Sequence, residues 1–301
     1  MSRLTLPRLA VTLGGLALVG LAGFILLTAP RAGSVAAVQG LTGDAVQGEA
    51  VFWAAGCASC HAAAGAAGAD MLVLAGGQAF PSDFGTFIAP NISPDPQAGI
   101  GGWTVEAFAR AIQDGVSPDD GHYFPALPYN AYNKMQPQDV VNLKAFMDGL
   151  PASSTASQPH QVGFPINIRR TLGLWKLMFV SHDWVITGDL TEAQNRGRYI
   201  AEALAHCGEC HTPRNALGGL DRSRWLAGAP NPSGKGNIPN ITPGKLTWSE
   251  SEIVEYLTSG FTPEFDSVGG HMAHVVENMA RLPESDRQAV AAYLKIVPAV
   301  D

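Results

Sequence analysis

Residues 56–61 read GCASCH, and residues 207–211 read CGECH. In each stretch two cysteines, two residues apart, are followed at once by histidine. Cysteine pairs at this spacing hold zinc, run thiol–disulfide exchange, or attach haem covalently. The histidine is what haem attachment needs, because both thiols add to porphyrin vinyl groups and the next imidazole then meets the iron. Zinc ribbons bring their pairs within about 15–20 residues of one another, whereas Cys60 and Cys207 stand far apart. Zinc also gives no reason for a histidine after each pair. A thioredoxin-type pair sits in a βαβ context, which neither stretch has. The four cysteines, Cys57, Cys60, Cys207 and Cys210, all belong to these pairs, and none is left for a structural disulfide. The reading is two covalently bound haem c groups, with His61 and His211 as proximal iron ligands.

Working outward from the two motifs, the flanking sequence repeats. VQGEAVFWAAGCASCH pairs with NRGRYIAEALAHCGECH, APNISP (89–94) with IPNITP (238–243), and WTVEAFARAIQDGVSP (103–118) with WSESEIVEYLTSGFTP (248–263). MQPQDVVNLKAFMDGLP (135–151) pairs with LPESDRQAVAAYLKIVP (282–298). The matches keep their order at an offset of about 150 residues, as an internal duplication requires. Each copy reads helix, motif, long loop, helix, loop, helix. Val140, Leu143 and Phe146 recur at helical spacing, as do Val290, Tyr293 and Leu294. Thr104 and Ser249 stand where helix N-caps are expected, and Pro151 and Pro298 close the final helices. No strand-rich segment is expected.

The iron's remaining axial position decides between electron transfer and chemistry: methionine there raises the potential and leaves no open site. In the second copy Met272 lies in the glycine-rich SVGGHMAHVV, read as a loop that reaches the haem face opposite His211. Met279, His271 and His274 are its competitors. In the first copy Met135, after PYNAYNK, is the candidate by reach, with His122 as the rival. Asn91 and Asn240 of the paired PNI segments have two readings, as donors to haem propionates or as residues that satisfy their own turn.

Charged residues make up 15% of the chain, and Gly (34) and Pro (21) are plentiful. Long ordered loops and weakly charged helices suit a fold wrapped around a large apolar cofactor. The net charge of −7 argues against a nucleic-acid partner. At the N-terminus, Arg3 and Arg8 precede an uncharged stretch from Leu9 to Pro30. About 20 apolar residues cross a bilayer, and the arginines favour a cytoplasmic N-terminus. Residues 1–30 therefore read as a membrane anchor or uncleaved signal, with cleavage near SVA (34–36) as the competing reading. Between the copies, 152–190 turns from polar to apolar. It reads either as a connector whose Trp175, Leu177 and Phe179 pack between domains, or as a contact with the membrane surface.

With the haem motifs, the PNI loops, FPALPYNAY and FTPEFDSVGG, the chain resembles dihaem and multihaem c-type cytochromes over residues 45–298. It looks most similar to cytochrome subunits of bacterial membrane-bound alcohol, aldehyde and sugar-acid dehydrogenases. The resemblance implies an all-α fold. Two tandem class I cytochrome c domains (45–151 and 191–301) would be related by internal duplication, joined by the connector and preceded by an N-terminal transmembrane helix. It implies His–Met iron, and it supports Met135 in PALPYNAYNKM and Met272 in the GG-x-M pattern. Those dehydrogenase subunits commonly carry three haems, and this chain has motifs for two. The expected role is a periplasmic electron carrier tethered to the bacterial inner membrane. It would connect a dehydrogenase or quinol-oxidising complex to a terminal oxidase or small cytochrome. The competing role is a dihaem enzyme of the peroxidase or thiosulfate dehydrogenase type, which needs an exchangeable or unusual ligand on one haem.

Overall fold

The structure is a computed structural model that describes residues 6–232, 234 and 236–301, with side chains from residue 11 onward in the first helix. Arg3 and the Arg8 side chain lie outside the described residues. Helix α1 (Leu6–Leu27) is a single 22-residue rod. Its described side chains stand in the open: Val19 is 71% and Leu26 74% exposed. Among the described residues, no helix is long and apolar enough to cross a membrane.

The first copy contains α2 (Val35–Val38), α3 (Ala45–Ala55), α4 (Cys57–His61), α5 (Val105–Asp114), α6 (Tyr129–Tyr132) and α7 (Pro137–Asp148). The connector carries α8 (Leu172–Phe179). The second copy contains α9 (Glu192–Arg198), α10 (Cys207–His211), α11 (Glu250–Ser259), α12 (His271–Met279) and α13 (Glu284–Ile296). The caps stand where the sequence puts them. Thr104 Oγ1 accepts the Ala107 N–H at 3.2 Å to start α5, and Ser249 and Glu252 form a capping box on α11.

Two short antiparallel hairpins were not expected from the sequence. Strand β1 (Ala79–Ser82) pairs with β2 (Gly85–Ile88), and β3 (Ala229–Pro230) pairs with β4 (Asn237–Ile238). Each lies in the loop after a motif and is too short to show alternating polarity. The connector adds to the first hairpin, since Thr86 and Gln161 exchange backbone hydrogen bonds of 3.0 and 2.9 Å.

In each copy the first helix crosses the last at a glycine. A Cβ on Gly48 of α3 would sit 2.0 Å from the Asn142 carbonyl oxygen of α7. On Gly197 of α9 it would sit 1.9 Å from the Ala289 carbonyl oxygen of α13. Only glycine allows backbones to approach so closely. The crossing closes the core around Phe52, Val140, Tyr293 and Leu204, all at most 1% exposed. Full burial of such a side chain contributes roughly 1.5–3 kcal/mol.

The copies differ at one place between these crossings and their motifs. Eight residues lie between Gly48 and Cys57 and nine between Gly197 and Cys207. The additional residue is taken up by a π-helical segment, Tyr199–Leu204, that continues α9. A π-bulge holds one more residue per turn without breaking the helix, so the second motif keeps its place beside its helix pair.

The connector packs on both copies. Trp175 donates its indole N–H to the Leu217 carbonyl at 2.8 Å, and Phe179 covers Gly219. The Lys176 ammonium bonds the Asp114 and Gly115 carbonyls at 2.6 and 2.7 Å. Leu177 departs from the expectation: it is 48% exposed, on the outer side of α8.

Candidate functional site

Helix α3 ends at Gly56, whose φ of 65° turns the chain left-handed, and the motif begins a new turn, α4. Cys57 and Cys60, three residues apart on a helical turn, share one face. The same holds for Cys207 and Cys210 of α10. All four cysteines are free. Burial, with Cys60 beside it, pushes the Cys57 thiol up to about 12, and burial pushes Cys207 to about 12. Cys60 is pushed up to about 11, chiefly by burial, with Cys210 adding to the rise. Among the described residues, no three His, Cys, Asp or Glu side chains converge as a metal centre would need.

Each motif histidine is held from behind. The His61 Nδ1–H donates to the Pro90 carbonyl at 2.8 Å, and the His211 Nδ1–H donates to the Pro239 carbonyl at 2.8 Å. That bond sets the tautomer and leaves Nε2 as the lone-pair nitrogen, the arrangement found behind metal-ligating histidines. Burial lowers both imidazole pKa values, which keeps the rings in the neutral, ligating form. The histidine backbones are pinned alike: the Gly76 N–H reaches the His61 carbonyl at 2.8 Å, and the Gly228 N–H reaches the His211 carbonyl at 2.7 Å.

The methionine candidates are placed differently from each other. Met135 is 3% exposed, in the core just after α6, and its carbonyl accepts from Gln113 Nε2 at 2.9 Å. Met272 stands in the first turn of α12, half-buried, not in a loop as the glycines suggested; the helix begins immediately after Gly270. Met279 is buried in the core at 2% exposure. His122 is committed elsewhere, because its Nε2–H donates to the Thr28 carbonyl at 2.9 Å and its Nδ1 is enclosed without a partner. His271 is exposed, its ring 6.1 Å from that of Phe80.

Comparison with known proteins agrees with this chemistry. Residues 45–151 match the cytochrome c family. The whole chain is similar to a protein described as a dihaem cytochrome c-type from Cereibacter sphaeroides, 56% identical over 95% of this chain and 98% of that one. The chain belongs to the dihaem c-type cytochromes. It is also similar to the fructose dehydrogenase cytochrome subunit of Gluconobacter japonicus, 38% identical over 82% of this chain and 51% of that protein. The cytochrome c subunit of a quinone-dependent alcohol dehydrogenase from Gluconobacter oxydans is 33% identical over 84% of this chain. The chain spans 55% of that subunit, so about half of each dehydrogenase subunit has no counterpart here.

In this cytochrome the two motifs meet at the Ala55 carbonyl, two residues before Cys57. It accepts the Tyr132 hydroxyl at 2.9 Å and also a bond from His206, the residue before Cys207. The Tyr132 and His206 rings stand edge to face, 5.7 Å apart. His206 adopts φ 42° and ψ 42°, the left-handed turn that Gly56 makes in the first copy. Around this point the copies are tied by Asn278 Nδ2 to Ser59 Oγ inside the first motif, at 2.8 Å. The Arg281 guanidinium lies 4.1 Å over the Trp53 ring. The Tyr199 hydroxyl donates to Asp139 at 2.5 Å.

Asn91 and Asn240 are occupied by their turns. Asn91 Nδ2 donates to the Ser153 and Thr155 carbonyls, both at 2.8 Å, while its Oδ1 accepts the Ser93 N–H at 2.9 Å. Asn240 Nδ2 reaches the Val300 carbonyl and its Oδ1 accepts the Thr242 N–H, both at 2.8 Å. Each side chain fastens its PNI loop to the chain leaving the last helix of its copy. The residues that sequence reasoning missed here are Pro90 and Pro239, whose carbonyls hold the motif histidines. The signal was present, since the paired segments repeat the proline as faithfully as the asparagine. His206 and Tyr132 carried no such signal, because their partner is a backbone carbonyl.

Proposed function

We propose that this chain is a membrane-tethered dihaem electron carrier, built by duplication, that works on the periplasmic side of a bacterial inner membrane. Electrons would arrive from a dehydrogenase or quinol-oxidising complex and leave to a terminal oxidase or small cytochrome. The observation that carries the reading is the twin arrangement of free cysteines with a histidine whose Nδ1 is tied to a proline carbonyl. Covalent haem, when bound, supplies an iron that gains and loses one electron. Cys57 and Cys60 would hold one group and Cys207 and Cys210 the other, each thiol adding across a vinyl bond with its proton passing to carbon. His61 and His211 would offer Nε2 to the irons, and Met135 and Met272 would be the second protein ligands, leaving neither site open to substrate. Asn91 and Asn240 fasten the loops that carry Pro90 and Pro239, and so support the two histidine clamps.

Duplication is supported by the paired histidine clamps, the paired glycine crossings and the matched loop bonds, such as Ile92 N–H to Leu74 and Ile241 N–H to Leu226, both at 3.0 Å. Tethering is supported by the uncharged stretch from Leu9 to Pro30 and by the open apolar side chains of α1. A dehydrogenase partner is supported by the relatives named above, and their additional length allows for a third haem that this chain has no motif to attach.

The test is a haemochrome assay with paramagnetic resonance on the purified protein. Two c-type haems per chain, both low-spin with His–Met character, are expected. Zinc without iron would overturn the haem reading. A high-spin haem in the resting protein would overturn the carrier in favour of a dihaem enzyme.

A further inference from the structure

Helix α8 is built the wrong way round for a protein in water. Leu174, Leu177 and Met178, related by helical spacing, form its outer face and are 36%, 48% and 60% exposed. The inner face holds Leu172 and Gly173, both buried, with Lys176 bonded to first-copy carbonyls. Among the described residues outside α1, six of the ten exposed large apolar side chains lie on α8 or in segments joined to it, with Phe164 81%, Ile168 42% and Leu217 57% exposed; the other four are Leu41, Val46, Phe261 and Phe265. Leu217 is held beside the helix by the Trp175 indole. An exposed apolar helix face of this kind marks an interaction surface.

What covers the patch is indicated by what it adjoins. Arg170, at the foot of α8, donates from Nε to Thr28 Oγ1 at 2.8 Å and from Nη2 to the Ile25 carbonyl at 2.5 Å. A Cβ on Gly173 would lie 2.6 Å from Thr28 Cα, so the α8 backbone rests directly on the end of α1. Thr28 is fully buried in this joint, with its carbonyl on His122. The bare surface of α1 therefore runs into the bare face of α8, and Arg31 and Arg169, both exposed, flank the junction. A helix with an apolar face and basic neighbours binds the interfacial layer of a bilayer, with its apolar side chains below the headgroups.

We infer that the outer face of α8, with Phe164, Ile168 and Leu217, lies in the membrane interface where α1 emerges, and so fixes how the haem domains sit on the bilayer. The inference rests on α1 being the anchor. Two tethers bind far more firmly than one. They would hold the domain in one orientation where a single flexible stalk would let it turn.

The experiment uses the full haem-loaded chain in vesicles of phosphatidylcholine and phosphatidylglycerol. Spin labels are placed singly through Leu177→Cys, Leu18→Cys and Ser285→Cys. With the native thiols consumed by haem, labelling is selective. The expected result is that the Leu177 label, like the Leu18 label, gains collisions with oxygen and loses collisions with a water-soluble nickel chelate relative to Ser285. A Leu177 label as open to nickel as Ser285, with Leu18 in lipid, overturns the α8 contact and leaves the anchor standing. Low collision with both probes at Leu177 means that protein covers the face, and also overturns it. A Leu18 label in water removes the anchor and this inference together. Met178→Cys repeats the measurement should Leu177→Cys disturb the helix.

Discussion

Replacing Gly197 by alanine tests the architecture that carries the second motif. The new Cβ would sit 1.9 Å from the Ala289 carbonyl oxygen, 2.5 Å from its carbon and 2.7 Å from Tyr293 Cβ. Two of these three atoms are backbone, so no side-chain rotation relieves the clash. Helices α9 and α13 must part by roughly 1.5 Å for ordinary contact. Overpacking of this kind costs about 1–3 kcal/mol or more, while alanine returns up to about 1 kcal/mol of helix propensity. Because the obstacle is rigid, a net loss of about 2 kcal/mol is expected, or about 10 °C in melting temperature for a unit of this size. Gly48→Ala meets the Asn142 carbonyl oxygen at 2.0 Å and is expected to behave alike in the first copy. Gly269→Ala, where a Cβ would meet nothing within 4 Å, is the control. Far-UV circular dichroism melts of the haem-loaded proteins give the answer. A Gly197→Ala protein that melts at or above the wild-type temperature would refute the close-crossing argument.

Met135→Ala and Met272→Ala should each remove part of the near-infrared sulfur–iron band while both haems stay attached. A full band in either variant shows that the other copy's methionine, or a different residue, is the ligand. His206→Gly and His206→Ala lose the same contact with the Ala55 carbonyl, but only glycine adopts the left-handed turn without strain. The glycine variant should be more stable by about 1 kcal/mol in urea titration, and equal stabilities would contradict the strained turn. His122 has its pKa lowered by burial against the raising effect of the Thr28 carbonyl, with Lys176, Arg170 and Arg110 lowering it further. The folded state therefore binds this proton less readily than the unfolded chain, whose value is about 6.5. Stability contributed above that pH is lost as pH falls through the range below it. His122→Gln should flatten the dependence in melts across mildly acid pH, and an unchanged slope would show that other groups cause it.

The chain's local chemistry was legible in its sequence because it depends on neighbours along the chain. Cys-x-x-Cys-His is complete within five residues, and Thr104 and Ser249 cap the helices that follow them. The repeated order of motifs, PNI segments and final helices is likewise a property of the string. Contacts with backbone atoms were not legible. Any residue can offer a carbonyl, so nothing in Ala55 as a letter marks it as a partner of His206, and the proline repeated at Pro90 and Pro239 marks a shared turn without saying that its carbonyl holds a histidine. Asn91 shows the same limit: its side chain suits a propionate or a turn equally, and the carbonyls of Ser153 and Thr155 take its amide hydrogens.

Length differences tell a similar story. The additional residue between Gly197 and Cys207 is visible in the sequence, but it admits a loop, a kink or a bulge. Packing of α9 on α13 selects the π-helical turn, because it alone keeps both the glycine crossing and the motif in place. The apolar run of the connector is just as plain in TLGLWKLMFV, yet which of its faces turns outward is not. That depends on Gly173 resting against Thr28 and on the carbonyls that hold Lys176. The sequence by itself determined the two Cys-x-x-Cys-His motifs, the order of the segments around them and the family they point to, all of which need only residue type and spacing. Tertiary structure decided what holds each histidine, how the copies meet and which surface α8 exposes. Those depend on atoms far apart in the chain that come together only once the helices have packed.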